Sequence, residues 1–364
     1  MVVILAAILW TPETRESELQ AAPANPADGV TFIFATDVHA CLVNGSTLSP
    51  DCQQEGKTDE NLLRNVEAIN TIEKMHWPSE INGVRTTLRL AGKHFARPMG
   101  VVMGGDLTDD GGGQLKVPGE GRQLQQFTSR YQQGTGPDHI HFPVYAGLGN
   151  HDLDQDGTPP NINWYRREMR DYVQMNHRST VFYKAPVPSE DYDVSSDCYS
   201  WDFGGVHLVQ LQRFGGDASH GAVSCLDWLK EDLNDYAENR KPVVLFQHYG
   251  FDPFSMERWD SKRLTFDLDG DGKPHWWSDA DRKALMDVIR PYNVVGIFHG
   301  HQHETPMVYS YQGIDVFKPV AAFMGGFAVV NITGKTMEVV LASGNPMGSG
   351  VVFTHAFSKQ IETQ

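Results

Sequence analysis

Basic charge is scarce in this 364-residue chain: 30 Lys and Arg stand against 46 Asp and Glu, giving a formal net charge of -16. Without a broad basic surface the chain is not expected to bind nucleic acid polymers or an anionic bilayer, because such affinity rests on Lys and Arg. A small phosphorylated substrate stays open as a partner, since bound cations can reverse the field locally. Long apolar runs are missing too. The longest, Val2–Trp10 (VVILAAILW), is too short to span a bilayer, so no integral membrane association is expected. It fits the core of an export signal, yet no Lys or Arg precedes it, and TPETRESELQ separates it from the small-residue stretch AAPA. Residues 1–29 therefore read as a clipped signal or a disordered leader.

Cysteine is sparse: four residues, Cys41, Cys52, Cys198 and Cys225, without C-x-x-C spacing, which argues against a zinc knuckle or a thioredoxin-like motif. Three full pairings exist, the closest neighbours being Cys41 with Cys52 and Cys198 with Cys225. Buried, reduced thiols are the competing reading. Bridges would accompany a secreted or periplasmic location, and free thiols a cytoplasmic one. No internal repeat, low-complexity tract or linker divides the chain, so residues 30–364 are expected to form one domain with an aromatic-rich, aperiodic insertion at about 250–278.

What is present is a 40% hydrophobic, 10% aromatic sequence with a regular rhythm of strand, polar tip and helix. VTFIFATDVH gives a strand ending in polar residues. TDENLLRNVEAINTIEKM follows as a helix, with Thr58 as N-cap and Leu63, Val66, Ile69 and Ile72 on one face. MGVVMGGDLTDDGGG is again a strand that stops at carboxylates, then come a polar helix around Leu124–Gln132 and the strand of VYAGLGNHD. CYSWDFGGVHLVQLQ predicts two strands turning at Gly204-Gly205, SCLDWLKEDLNDYAENR an amphipathic helix, and KPVVLFQHYG a strand ending in His248. SDADRKALMDVIR feeds NVVGIFHGHQH, and the strands of IDVFKPVAAFMGGFAVVNITGKTMEVVLASG close the chain. Alternating strands and helices indicate an α/β fold.

Five apolar strands thus run into Asp37 and His39, into Asp106, into Asn150 and His151, into His248, and into His301 and His303. Any one of these could be a hydrogen-bonded turn or helix cap. Five together, offering only carboxylate, imidazole and carboxamide groups, point to a metal site at the strand ends. Asp-x-His and His-x-His would put both side chains on one strand face, since alternate residues project the same way.

The ordered set D-x-H, G-D, G-N-H-D, H and G-H-x-H resembles that of the calcineurin-like metallophosphoesterase superfamily. The resemblance implies a four-layer α/β/β/α sandwich with two metal ions. It implies that Asp37, His39 and His303 hold one metal, that Asn150, His248 and His301 hold the other, and that Asp106 bridges them. Mixed N and O ligands suit Mn, Fe or Zn. Two cations roughly 3.5–4 Å apart would share a hydroxide that attacks a phosphate ester. His151 would then protonate the leaving oxygen as general acid, with Asp152 orienting it.

Departures from particular branches narrow the reading. Where purple acid phosphatases carry Tyr, this chain has Asp109, and the arginines that flank the protein phosphatase motifs are absent. GDLTDDG is more similar to the class III cyclic nucleotide and glycerophosphodiester phosphodiesterases, which makes a phosphodiester the expected substrate. The alternatives are a phosphomonoesterase on a small molecule or lipid headgroup, and a non-catalytic scaffold of the same fold. Arg213, Arg258 and Lys262 are the candidate cations for a more highly charged monoester. DLDGDG, with Asp267, Asp269 and Asp271, matches the first half of a calcium loop but lacks the closing Glu. It reads either as a structural Ca²⁺ site or as a solvated acidic turn. Trp259, Trp276 and Trp277 read as a substrate-pocket wall or as a hydrophobic plug. His299 and His177 carry no motif of their own.

Overall fold

The computed structural model describes residues 29–44, 47–48, 50–111, 122–153, 161–238 and 240–361. The apolar run at residues 2–10 lies outside them. Thirteen strands form two large sheets. The first has the order Val351–Gln360, Thr336–Gly344, Gly326–Ile332, Val30–Ala35, Val101–Met103, Val144–Tyr145, with the last three strands mutually parallel. The second runs Met307–Tyr311, Ile314–Lys318, Val294–Phe298, Val243–Phe246, Val206–Gln210, Tyr199–Phe203, Asp191–Tyr192, and its central four strands are parallel.

The two sheets face each other through large apolar side chains. Phe32 and Phe34, two residues apart and so on one face of their strand, meet Phe246 and Phe298 of the other sheet at ring separations of 5.4–6.1 Å. Tyr145 stacks on Trp201 at 4.3 Å. All six side chains are buried, and burying each contributes roughly 1.5–3 kcal/mol.

The helix Asp59–Thr71 begins where Thr58 accepts a hydrogen bond from the amide of Asn61. Its buried face is Leu62, Asn65, Val66, Ala68 and Ile69, so Leu62 takes the core position that periodicity assigns to the half-buried Leu63. Asn65 donates to the carbonyl of Gly326 and accepts from the Tyr131 hydroxyl, tying the helix to the first sheet. The helices Leu226–Tyr236 and Asp279–Ile289 bury Leu229, Leu233, Leu285 and Met286 with Val209, Leu245 and Ile297 of the second sheet. Ser278 and Asp281 form a reciprocal capping box at the start of the latter helix.

Strands Tyr199–Phe203 and Val206–Gln210 turn at Gly204-Gly205 as the sequence indicates. The ten-residue strand Val351–Gln360 and the strand Met307–Tyr311 have no counterpart in the sequence reading. Within the insertion, Arg258–Asp260 and Thr265–Asp267 pair as an antiparallel hairpin. Cys41 bonds to Cys52 and Cys198 to Cys225, and the chain has no free cysteine. No helix among the described residues is long and apolar enough to cross a membrane.

Candidate active site

All five polar stations follow the C-terminal ends of parallel strands, where an α/β sheet presents its ligand-binding crevice. They lie in the turns beyond the strands rather than on them. The first strand ends at Ala35, ahead of Asp37 and His39; Val294–Phe298 ends ahead of His301 and His303. The same-face argument for Asp-x-His and His-x-His therefore does not apply. The turns bend instead: Asp37, His39, Asp106 and His301 have φ of 56°, 46°, 51° and 74°. A positive φ is costly for residues with a Cβ, and four such residues in one site mark backbone held by its surroundings. The holding bonds are visible, since the amides of Asp37 and His39 donate to the carbonyls of Gly105 and Asp106, and the His301 amide donates to the Asp37 carboxylate.

Close approach explains the motif glycines. A Cβ on Gly149 would stand 2.2 Å from Oδ1 of Asp106, and one on Gly300 would stand 2.0 Å from Oγ1 of Thr36.

The structure brings six of the seven predicted ligands, all but Asn150, into two groups that share Asp106. Asp37, His39, Asp106 and His303 offer ligand atoms within 4.8 Å of one another, and so do Asp106, His248 and His301. Oδ2 of Asp106 lies 3.5 Å from Nε2 of His39 and 3.0 Å from Nε2 of His248. The Nε2 atoms of His39 and His303 are 3.0 Å apart. In His248, Nδ1 donates to the carbonyl of Gly104, which fixes the tautomer and turns the lone pair of Nε2 inward. Nδ1 of His39 donates in the same way to the carboxylate of Asp109, at 2.8 Å.

Burial dominates the electrostatics. It lowers His39 to about 4, His301 well below its ordinary value, and His303 below it too. These rings are neutral and ready to donate a lone pair. For His248 burial acts in the same direction, but the adjacent Asp106 outweighs it and raises the ring to about 9. Asp106 is held well below the carboxylate range, its burial outweighed by His248, His151 and His39.

Asp152 does not orient His151. Its buried carboxylate accepts from the amides of Leu107, Thr108 and Gly149 and from the Thr108 hydroxyl, so it locks the turn after Asp106 to the turn before Asn150. Burial and the charge of Asp106 raise it to about 6. His151 is anchored by Asp109, whose carbonyl accepts from Nδ1 at 2.7 Å. One residue thus holds two imidazoles, His39 through its carboxylate and His151 through its carbonyl. Lys57 Nζ lies 2.7 Å from that carboxylate and over the ring of Phe323, which itself packs on His39 and His303. Sequence reading gives Lys57 and Phe323 no role, because neither lies in a motif, and weighs Asp109 only as the absence of a Tyr.

Arg258 and Lys262 are not gathered at this cluster, whereas the carbonyl of Arg213 accepts from the amides of His248 and Tyr249 at its edge. Arg213 is buried against Asp217 and Ser219, Arg258 pairs with Asp279, and Lys262 is exposed on the hairpin. Asp267, Asp269 and Asp271 form no cation cage: Asp267 pairs with Arg263, and Asp271 accepts from the amide and hydroxyl of Ser261. The glycines of DLDGDG serve packing, for a Cβ on Gly270 would lie 2.3 Å from the Arg258 carbonyl. The three tryptophans separate. Trp277 is a buried plug donating to the Gly250 carbonyl, Trp276 sits 4.1 Å from the His301 ring, and Trp259 belongs to the hairpin. His299 is buried between the Gly300 carbonyl and the Tyr309 hydroxyl.

Whether these residues suit metal ions can be tested on their unmet hydrogen bonds. Oδ1 of Asn150 and Nε2 of His301 are buried without a hydrogen-bond partner, and Oδ2 of Asp106 and Nε2 of His248 face only each other, at 3.0 Å. Each such atom costs about 1–3 kcal/mol unless something binds it. Oxygen and imidazole donors around a shared carboxylate suit a pair of cations.

A two-sheet α/β fold carrying such a centre at its strand ends defines a metal-dependent phosphoesterase. The chain belongs to the calcineurin-like phosphoesterase family, whose model matches residues 30–305. It is therefore a hydrolase of phosphoric esters, and the family implies a binuclear metal centre. No curated protein matches it significantly in sequence. Among solved structures, a dimetal phosphatase from Danio rerio is similar at 13% identity and a TM-score of 0.50, over 92% of this chain and 100% of that one. A protein from Thermus thermophilus gives 10% identity and 0.39 over 92% and 100%. A 5'-nucleotidase from Candida albicans gives 9% and 0.39 over 87% and 52%. At these identities the likeness to the phosphatase is one of fold.

Proposed function

We propose that this chain hydrolyses a small phosphodiester with two transition-metal ions, Mn, Fe or Zn, in a secreted or periplasmic setting. Asp37, His39 and His303 would hold one ion, Asn150, His248 and His301 the other, and Asp106 both. The observation that carries this assignment is the set of four buried atoms on Asp106, Asn150, His248 and His301 that make no hydrogen bond outside the cluster. When bound, the ions supply Lewis acidity toward the phosphate and toward water.

The chain's own residues do the rest. Gly104 and Asp109 fix the tautomers of His248 and His39. His151, anchored through Nδ1, delivers a proton from Nε2 to the departing alkoxide. A diester fits the charge around the centre. Lys57 is shared by Asp109 and Glu55, and Lys318 is bound to the carbonyls of Gln302 and Pro319, so neither is aimed at the extra charge of a monoester. Two disulfides favour an oxidising compartment.

Elemental analysis and kcat/KM on matched mono- and bis-aryl phosphates test the reading. Two ions per chain with faster diester hydrolysis are expected. Turnover by metal-free protein would overturn the mechanism, and a strong monoester preference would overturn the substrate assignment.

A further inference from the structure

The insertion between residues 250 and 278 carries an unbroken path of rings from the surface to the candidate metal centre. Trp276 meets His301 at 4.1 Å, His275 meets Trp276 at 4.0 Å, Phe266 stacks on His275 at 3.7 Å, and Trp259 meets Phe266 at 5.2 Å. Phe254 flanks the inner end, 5.1 Å from His301 and 5.6 Å from Trp276. These rings are not a core. Phe254, Trp259 and Phe266 are 38%, 37% and 39% exposed, with Leu264 and Leu268 more open still beside them.

The surface under the strip is stiff and locally neutralised. The Asp260 carboxylate accepts from the amides of Lys262 and Arg263, and Asp271 ties down Ser261. Arg263 is paired with Asp260 and Asp267, and Arg258 with Asp279. An exposed apolar patch held rigid, continuous with a catalytic centre and flanked by paired charges is suited to an uncharged apolar group. Its paired arginines are not aimed at a second phosphate.

We infer that the strip is a subsite for an extended apolar group, aryl or alkyl, carried by the phosphate ester. This rests on the phosphoesterase reading. A small substituent on the phosphate would end beside Phe254 and Trp276, whereas only a longer body reaches Phe266 and Trp259. The contribution of the hairpin therefore grows with the length of that group, and it falls on binding, since none of these rings reaches the leaving oxygen.

The test uses the metal-loaded full chain and 4-nitrophenyl phosphodiesters in which the leaving group is constant and the second ester is methyl, butyl, octyl or naphthyl. kcat/KM is expected to rise roughly 10- to 100-fold from methyl to the largest groups, chiefly through KM. Trp259→Ala and Phe266→Ala truncate exposed rings, so the core stays intact; they should remove most of that rise and leave the methyl ester unchanged. An octyl group gaining more than naphthyl would point to lipid-derived esters, and the reverse to planar aromatic ones. A flat series with good turnover of the methyl ester would overturn the subsite alone. Failure to hydrolyse even the methyl ester would overturn the phosphodiesterase reading beneath it. Binding of the chain to phosphatidylcholine vesicles, lost in both variants while the ester series stays flat, would assign the strip to a bilayer surface instead.

Discussion

Nε2 of His248 stands 3.0 Å from Oδ2 of Asp106, and neither atom has a hydrogen bond to any other group. A metal ion bound between these two buried ligand atoms would take the place of the proton that Asp106 otherwise holds on the ring. Because Asp106 belongs to both ligand groups, Asp106→Asn should reduce occupancy of both ions and lower kcat by roughly 10³-fold or more, the equivalent of several kcal/mol of transition-state stabilisation. Elemental analysis beside kinetics checks this; loss of a single ion would show that the carboxylate serves only one.

Asp109 acts at one remove. Asp109→Asn keeps the shape but weakens the charge-assisted bond to His39 and leaves Lys57 paired with Glu55 alone, so metal affinity should fall about 10- to 100-fold and activity should return at high metal concentration. A metal titration of the variant would refute the role if affinity were unchanged.

His151 and Asp152, adjacent in sequence, should behave differently. His151→Ala is expected to retain metal and fold while losing roughly 10² to 10⁴ in rate on esters with poor leaving groups, and much less on activated aryl esters. Asp152→Ala leaves the buried amides of Leu107, Thr108 and Gly149 without their acceptor, so its expected effect is a loss of about 3–5 kcal/mol in stability. Denaturant melts of the two variants separate these outcomes.

His177 sets a pH dependence far from the metals. Its Nδ1 donates to the Val187 carbonyl, and its Nε2 accepts from the Ala146 amide, so a second ring proton would point at an N–H. Burial lowers the ring from 6.5 to about 4. The unfolded chain then binds more protons between these values. The stability His177 contributes is complete above pH 6.5 and is lost as pH falls toward 4, by about 3 kcal/mol in all. His177→Gln should flatten the melting temperature across that window, and an unaltered slope would reject the assignment.

The polar stations are legible because side-chain type and order survive in sequence, whatever the local backbone does. Their geometry is not: the left-handed turns at Asp37, His39 and His301 depend on amides and carbonyls donated by distant segments. Asp152 looks like the partner of His151 by adjacency, yet its bonds reach back to residues 107 and 108. The strand Val351–Gln360 is half-buried along nearly its whole length, so it lacks the alternation by which a strand is recognised. Lys57 follows Gly56 in an ordinary polar stretch, and nothing local marks it as the neighbour of Asp109.

A carboxylate at position 109 sharing a pocket with a buried lysine gives the enzyme a fixed local charge balance. Larger in consequence is the pairing of Val30–Ala35 with Gly326–Ile332, strands about 300 residues apart, the first of which leads into Asp37 and His39. During synthesis the first of these strands waits without its antiparallel neighbour until residues 326–332 have been made, and His303 follows His39 by 264 residues. Ion capture by this group is expected only after that point. On the proposed ligand assignment, a product terminated before residue 303 lacks one ligand of the first ion and is expected to show no hydrolytic activity.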